Sequence, residues 1–189
     1  MRKLLFVVPI AAIVTGCASI GTTVKTTPVN HGSTAAASRQ AASSAPAKAK
    51  AGVGSAIDLK GENSGDLLEV TVVKIVDPDS PTDDFSSPDS GKRYVSVQFE
   101  LVNKGAGSYS DDPQINVDVK DASGQSFDPE IMVSSTKAGQ QMSSNVTLAP
   151  GDKALGFLTF QVPTGDKVAV VQYKLNAGMA GDVGEWTVS

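Results

Sequence analysis

The sequence predicts an all-β fold for residues 57–189: an immunoglobulin-like sandwich of two sheets with Greek-key connections. Apolar and polar residues alternate at every second position in several short runs, which is typical of strands with one face on a core and one in water. Turn-forming pairs separate the runs, and no segment after residue 56 keeps a helical period. About seven to nine such strands suit two packed sheets better than a closed barrel.

The strands can be placed in order along the chain. Leu68, Val70 and Val72 alternate with polar residues before the run becomes apolar on both sides up to Val76. Residues 94–101 alternate strictly, which predicts apolar side chains on the core and polar ones in water. Further core-facing runs are predicted at Ile115, Val117 and Val119, at residues 154–162, at residues 169–175 and around Trp186 and Val188. Turns are predicted at Asp77-Pro78, Ser90-Gly91, Lys104-Gly105, Ser123-Gly124, Pro150-Gly151 and Pro163-Thr164-Gly165.

Residues 1–16 have the pattern of a secretory signal. Arg2 and Lys3 precede an apolar run over residues 4–14, which is too short for a bilayer-spanning helix of roughly 20 residues. The residues that follow resemble the lipobox of bacterial lipoproteins, in which small residues precede a cysteine that is acylated after cleavage. That resemblance implies lipidation of Cys17, the single cysteine of the chain. The alternative is a chance cysteine at the end of an ordinary signal.

The next segment, residues 17–56, is predicted to be a lipidated cysteine followed by a disordered linker. It is rich in alanine, serine and threonine and has almost no large apolar residues, so it cannot bury enough surface to offset the entropy of ordering. Its few basic residues and lack of acidic ones make it positively charged. We expect it to act as a spacer between the membrane and the domain.

The predicted domain at residues 57–189 is strongly acidic. It holds all 20 acidic residues of the chain and 10 of the 16 basic ones. This balance argues against nucleic-acid binding, which depends on lysine and arginine neutralising phosphates. It also predicts that an anionic membrane repels the body of the domain.

Two segments carry a resemblance to a known family. They are residues 91–103 (GKRYVSVQFELVN) and residues 148–163, where LAPG is followed by GFLTFQVP. Both resemble the uncharacterised immunoglobulin-like exported domain found in bacterial lipoproteins and in the mycobacterial immunoprotective secreted antigen. The resemblance covers residues 55–189. It implies a β-sandwich, since both motifs place turns and core side chains. The family has no agreed catalytic residues, so the resemblance assigns none to this chain.

The sequence predicts that the protein is not an enzyme and needs no cofactor. Residues 57–189 contain neither histidine nor cysteine, which excludes histidine triads, thiol nucleophiles and ordinary zinc sites from the domain. His31 lies in the linker, and Ser134 and Lys137 match the S-x-x-K pattern of penicillin-recognising enzymes without the helix that pattern requires. Trp186 is expected in the core or covering a sheet edge rather than as a sugar-stacking platform.

An aspartate-rich loop at residues 77–91 is the predicted contact for a ligand or partner. Its candidates are Asp77, Asp79, Asp83, Asp84 and Asp89. Carboxylate oxygens on a loop suit calcium, for which Asp79, Asp83 and Asp84 are the candidate ligands, with Asp111 and Asp112 as further ones if that loop is close. The alternative is that these aspartates and prolines only set turns.

Together these features predict a lipid-anchored, non-enzymatic module of the cell envelope on the extracytoplasmic face of the membrane. It would contact the membrane through its anchor and bind a protein partner of the envelope or of a host through loops or a sheet edge. The alternative is an accessory lipoprotein that binds a small ligand or calcium through loop 77–91. Ligand panels and envelope pulldowns distinguish the two.

Overall fold

A computed structural model describes residues 48–83 and 86–189. The strands are β1 (Lys48–Gly52), β2 (Ala56–Lys60), β3 (Leu67–Asp79), β4 (Lys92–Asn103), β5 (Tyr109–Asp111), β6 (Val117–Asp121), β7 (Ser126–Phe127), β8 (Ser135–Thr136), β9 (Gly139–Gln140), β10 (Val146–Leu148), β11 (Lys153–Pro163), β12 (Val168–Lys174) and β13 (Val183–Thr187). Short 3₁₀ turns lie at Pro113–Ile115 and Asn176–Gly178. No helix in this part of the chain is long and apolar enough to span a bilayer.

Two sheets face each other across the core. The A sheet has the strand order β1-β13-β12-β6-β7, and the B sheet has the order β11-β4-β3-β2. Strands β5 and β10 form one small ribbon, and β8 and β9 form another. The predicted immunoglobulin-like Greek-key sandwich is confirmed.

Alternating apolar side chains from both sheets form the core. Phe99 of β4 meets Tyr173 of β12 edge to face, with 5.5 Å between ring centroids. Trp186 of β13 is fully buried, and its indole N–H donates to the Ser55 carbonyl at 2.8 Å. Trp186 is therefore a core residue that ties the A sheet to the chain leading into β2. It is not available as a binding platform.

The domain starts before the predicted boundary. β1 pairs in parallel with β13, and residue 57 lies inside β2, so the linker predicted at 17–56 is wrong for residues 48–56. Lys48 and Lys50 explain the order there, because both pair with Glu185 of β13. Such pairing offsets the low hydrophobicity of the segment. Residues 1–47, with the predicted signal, Cys17 and His31, lie outside the described residues.

Two local predictions are also wrong. Ile115, predicted to face the core beside Val117, lies in a 3₁₀ turn and is 61% exposed, because Asp112 accepts the Gln114 N–H and caps that turn. The predicted turn at Asp77-Pro78 lies inside β3, which continues to Asp79 through a cis peptide bond. The loop predicted at 77–91 therefore starts after β3 ends.

The polar face of the B sheet is covered rather than fully solvated. Ser96 and Thr159 on this face are completely buried, and their hydroxyls are 2.7 Å apart. The segment that follows Pro129, itself bridged to Phe160 of β11, covers them through Thr136 and Gln141. Tyr94 is covered as well, and its hydroxyl donates to the Ser86 carbonyl at 2.6 Å. Paired hydroxyl groups therefore lie in a covered polar layer on this face. The alternation of apolar and polar residues does not show that the layer is covered.

The two ends of the sandwich differ. We call the end that holds the turns at residues 61–66, 104–108 and 149–152 the closed end, and the end that holds the turns at residues 53–55, 122–125 and 164–167 the open end. β1 enters the sheet at the closed end and runs toward the open end, because it is parallel to β13.

Candidate functional site

A groove lies between the two sheets at the open end. Its volume is about 830 Å³, and its lining combines apolar side chains, including Val53, Ile75 and Val188, with charged ones, including Arg93 and Asp166. Val53 lies in the turn between β1 and β2, Ile75 lies on β3, and Val188 directly follows β13. Three segments distant in sequence therefore supply its apolar wall.

An ion pair forms the charged wall of the groove. The Arg93 guanidinium donates to Asp77 through Nε at 2.6 Å and through Nη2 at 2.8 Å. The hydrogen bond to Asp77 raises the pKa of Arg93 above its ordinary value. The same guanidinium donates to the carbonyls of Pro163 and Asp166 at 2.6 and 2.9 Å. Arg93 therefore fixes β3 and the loop before β12 in one arrangement.

The strand edge beside the groove is unpaired. β2 pairs with β3 only from Leu67 to Thr71, and the Gly54 N–H donates to the Val72 carbonyl at 2.7 Å. From residue 73 to residue 77, no strand within residues 48–83 and 86–189 pairs with this side of β3, while β4 pairs with the other side. The groove is therefore bordered by a short edge with free backbone groups.

These features determine which chemistry the groove can accommodate. Arg93 and Asp77 satisfy each other, so they present a neutral, rigid wall. Lys167 is exposed and lies on the rim. An extended segment can pack apolar side chains against the apolar wall and form main-chain hydrogen bonds with the unpaired edge of β3.

The predicted aspartate loop does not form one site. Asp77 lines the groove, whereas Asp79 is buried beneath the segment that covers the B sheet. Asp83 accepts the Ser86 N–H at 2.9 Å, and Asp89 pairs with Lys92 at 2.9 Å. Asp84 lies outside the described residues. Of the described candidates, Asp77 alone reaches the groove.

Asp79 has a structural role. Its Oδ1 accepts the N–H groups of Ser80 and Ala138 at 2.7 and 3.2 Å, which joins the end of β3 to the β8–β9 ribbon. Its Oδ2 is buried without a hydrogen-bond partner among the described residues. The carboxylate therefore holds the cover of the B sheet in place.

Calcium binding stays a prediction. The described histidine, cysteine, aspartate and glutamate side chains do not gather in groups of three that could hold a metal ion. Asp111 and Asp112, considered as further ligands, lie at the closed end, whereas the candidate ligand Asp79 ends β3 at the open end. The aspartates are therefore separated by the length of the sandwich.

The S-x-x-K residues lie next to a β-ribbon. The Ser134 carbonyl accepts the Gln141 N–H at 3.2 Å, and the Lys137 N–H donates to the Ser80 carbonyl at 2.8 Å. Ser134 and Lys137 flank β8 and do not share a helical turn, which the chemistry of that motif requires.

Sequence reasoning missed most of the groove. Arg93 lies inside the family motif at residues 91–103, but the motif indicates a strand and not a partner for Asp77. Val53 lies in the predicted linker, and Asp166 lies just after the predicted turn at Pro163-Thr164-Gly165. Arg93, the only arginine in residues 48–189, lies at the start of a predicted core strand. This was the one available signal, since a partly buried guanidinium needs a carboxylate or carbonyl partner.

The two family motifs meet at the closed end. The Asn103 side chain, which is buried, donates to the Leu148 carbonyl at 2.9 Å and to the Gly107 carbonyl at 2.7 Å. Its backbone carbonyl accepts the Gly151 N–H at 2.8 Å. Asn103 and the LAPG turn therefore form one structural unit that closes this end.

Comparisons with known proteins agree with this architecture. Residues 60–183 match a family described as Domain of unknown function (DUF4352). The secreted protein MPT63 of Mycobacterium tuberculosis is similar in structure with a TM-score of 0.54 and 17% identity, over 75% of this chain and 98% of that one. The yjhA protein of Bacillus subtilis is similar with a TM-score of 0.50 and 16% identity, over 75% and 99%. A search of curated proteins gave no match. The predicted family resemblance is confirmed, and the structural likenesses establish the fold.

Proposed function

The chain belongs to the family described as Domain of unknown function (DUF4352), and we propose that it is a non-enzymatic binding module of the cell envelope. In this proposal the chain is exported, acylated at Cys17 and displayed on the extracytoplasmic face of the membrane. The basic start, the short apolar run and the small residues before Cys17 support export and acylation. A diacylated cysteine provides the two chains that stable anchoring requires.

The module recognises an extended segment of a protein partner at the open end. The groove beside the unpaired edge of β3 is the observation on which this function rests. Main-chain hydrogen bonds to residues 73–77 provide affinity, while Val53, Ile75 and Val188 receive alternate side chains of the segment. The Arg93–Asp77 pair keeps the groove preformed, which lowers the entropic cost of binding.

The position of the groove suits a tethered protein. Lys48, the first described residue, lies at the closed end, so the chain enters the domain at the end opposite the groove.

A small apolar ligand is the second candidate for the groove. Its volume of about 830 Å³ falls within the range of about 300–1,000 Å³ that is typical of small-molecule sites. Such a ligand would raise the melting temperature of the purified protein, whereas a partner segment requires the envelope fraction.

The test introduces a charge into the groove. We expect Val53→Asp to weaken partner capture from the envelope about tenfold, a loss of about 1.4 kcal/mol, because it places a carboxylate on the apolar wall. Leu155→Asp, at an exposed position on β11 outside the groove, is the matched control and should capture as the unmodified chain does.

Capture is measured by crosslinking intact envelope with each variant and quantifying the same partner band. Equal capture by both variants contradicts binding in the groove. A melting shift with small apolar ligands that Val53→Asp abolishes, without any partner band, favours the second candidate.

A further inference from the structure

The outward face of the A sheet carries four lysines from three strands. Lys48 and Lys50 lie on β1, Lys174 on β12 and Lys120 on β6. The strand register places them on the side opposite the core residues of the same strands. We call this set of four residues the lysine face.

Two buried carboxylates hold the lysines in place. Glu185 pairs with Lys48 and with Lys50, the latter at 3.2 Å, and Asp118 pairs with Lys174 at 2.7 Å and with Lys120 at 3.6 Å. The carboxylate side chains of Glu185 and Asp118 are only 8% and 7% exposed, whereas those of the lysines range from 29% to 68%. The ammonium groups therefore form the outer layer and the carboxylates the inner one.

Neutral side chains link the two ion-pair groups. The Gln172 amide donates to Glu185 at 2.8 Å, and Lys120 donates to Gln172 at 2.7 Å. Burial raises the pKa of Glu185, but the hydrogen bonds from Lys48, Gln172 and Lys50 outweigh it and lower that pKa to about 2. The network runs across β1, β13, β12 and β6 and holds the cations on the outer face of one sheet.

The lysine face has the opposite charge to the rest of the domain. Residues 48–189 contain 12 basic and 20 acidic residues, whereas the lysine face and its two carboxylates contain four cations and two anions. With the face and its carboxylates set aside, eight basic residues face 18 acidic ones. A domain with this distribution is oriented by an anionic surface even though its net charge is repelled.

We propose that the lysine face docks on the anionic lipid headgroups of the membrane that anchors the protein. Ammonium groups spread over the outer face of one sheet suit an extended charged surface better than a groove does. β1, which carries two of the four lysines, is an edge strand of the A sheet and is the described strand nearest to Cys17 in sequence. Docking thus rests on the proposed anchoring and reverses, for this one face, the repulsion that the acidic composition predicts.

The test is lysine footprinting of the processed protein in vesicles. We compare acetylation rates in phosphatidylcholine with those in an equimolar mixture of phosphatidylcholine and phosphatidylglycerol. The mixture should slow acetylation of the lysine face about fivefold, the factor for about 1 kcal/mol per lysine near an anionic surface. High salt should remove the difference.

Lys104 and Lys153 provide a matched reference on the other sheet. They pair with Glu69 and Glu100 and are 45% and 67% exposed, against 47% and 68% for Lys48 and Lys50. Their rates should be the same in both vesicles. Lys48→Gln with Lys50→Gln should remove the protection of Lys120 and Lys174, whereas Lys104→Gln with Lys153→Gln should leave it intact.

Equal rates for all lysines in a membrane-bound protein overturn docking and leave the binding module untouched. Protection that depends on protein density rather than lipid charge also overturns it, since it indicates contact between copies. A chain that stays with neither vesicle contradicts the anchoring instead. In that case docking is tested by adding excess anionic vesicles to the protein. The absence of salt-sensitive protection of the lysine face then refutes docking.

Discussion

The closed and open ends of the sandwich use polar side chains in different ways. At the closed end Asp111 accepts hydrogen bonds from the Tyr109 hydroxyl, the Asn116 amide and the Asn176 N–H at 2.6, 2.7 and 2.9 Å. At the open end Arg93 and Asp77 stand beside a groove of about 830 Å³. A network of converging hydrogen bonds holds the closed end, whereas the open end has an ion pair beside a groove.

The closed end also holds unfavourable backbone. Asn176 and Ala177 adopt φ angles of 53°, a left-handed conformation that costs non-glycine residues about 1 kcal/mol or more each. The Asn116 side chain accepts the Ala177 N–H at 2.8 Å and so helps to hold that conformation. The closed end is therefore held by several converging hydrogen bonds, whereas the open end keeps a groove beside one ion pair.

The largest expected effect comes from breaking the closed end. Asp111→Ala removes the shared acceptor and leaves the buried Tyr109 hydroxyl without a partner, which should lower the free energy of unfolding by about 3 kcal/mol. Chemical denaturation measures the loss. Asp112→Ala, which removes a single cap from the neighbouring 3₁₀ turn, should cost only about 1 kcal/mol. Similar losses for both variants would contradict a central role for Asp111.

A smaller effect is expected at the open end. Arg93→Met keeps an unbranched apolar stem but removes the guanidinium and its bonds to Asp77 and to the loop before β12, which should cost about 1.5 kcal/mol. Hydrogen exchange of residues 164–167 should accelerate while that of residues 103–116 stays unchanged. Arg93→Lys should recover only part of the stability, because an ammonium lacks the planar fork. Faster exchange at both ends would show that the ends are not independent.

The smallest effect is a dependence on pH that distinguishes the two ends. Burial raises the pKa of Asp111, but hydrogen bonds from Tyr109, Asn116, Asn176 and Asp112 outweigh it and leave the pKa below its ordinary value. A lowered pKa contributes stability above the ordinary carboxyl range and loses it as the pH falls.

The change should be visible first in exchange at the closed end. Protection of the Asn176 amide is expected to decrease as the pH falls below about 4, the ordinary range of aspartate, and to decrease less in Asp111→Asn, which does not titrate there. Glu185 adds a loss on the A sheet between pH 4.5 and about 2. If protection of the Asn176 amide did not depend on pH, the ionised Asp111 carboxylate would not be what stabilises the closed end.

Much of the B sheet follows from sequence alone. Residues 94–101 and 154–162 form β4 and β11 as predicted, because strict alternation leaves a strand as the one element that buries Val95, Val97 and Phe99 together. The strands at the edges of the sheets were harder to predict. β1 has no apolar alternation, and its order depends on Glu185, more than 130 residues later in the chain.

The aspartate loop shows why the site itself escaped prediction. Asp77 and Asp79 are two residues apart, yet one pairs with Arg93 at the groove and the other is buried under the cover of the B sheet. Local sequence indicates carboxylates on a loop but not the partner that each one meets.

The sequence by itself determined the class of fold, its family and the absence of histidine and cysteine from residues 57–189, because those depend on composition and on periods of two residues. Only the tertiary structure decided the groove, the unpaired edge of β3 and the lysine face. Each of these is assembled from strands that are far apart in sequence, and which side chains meet depends on strand order and register, which local patterns do not encode.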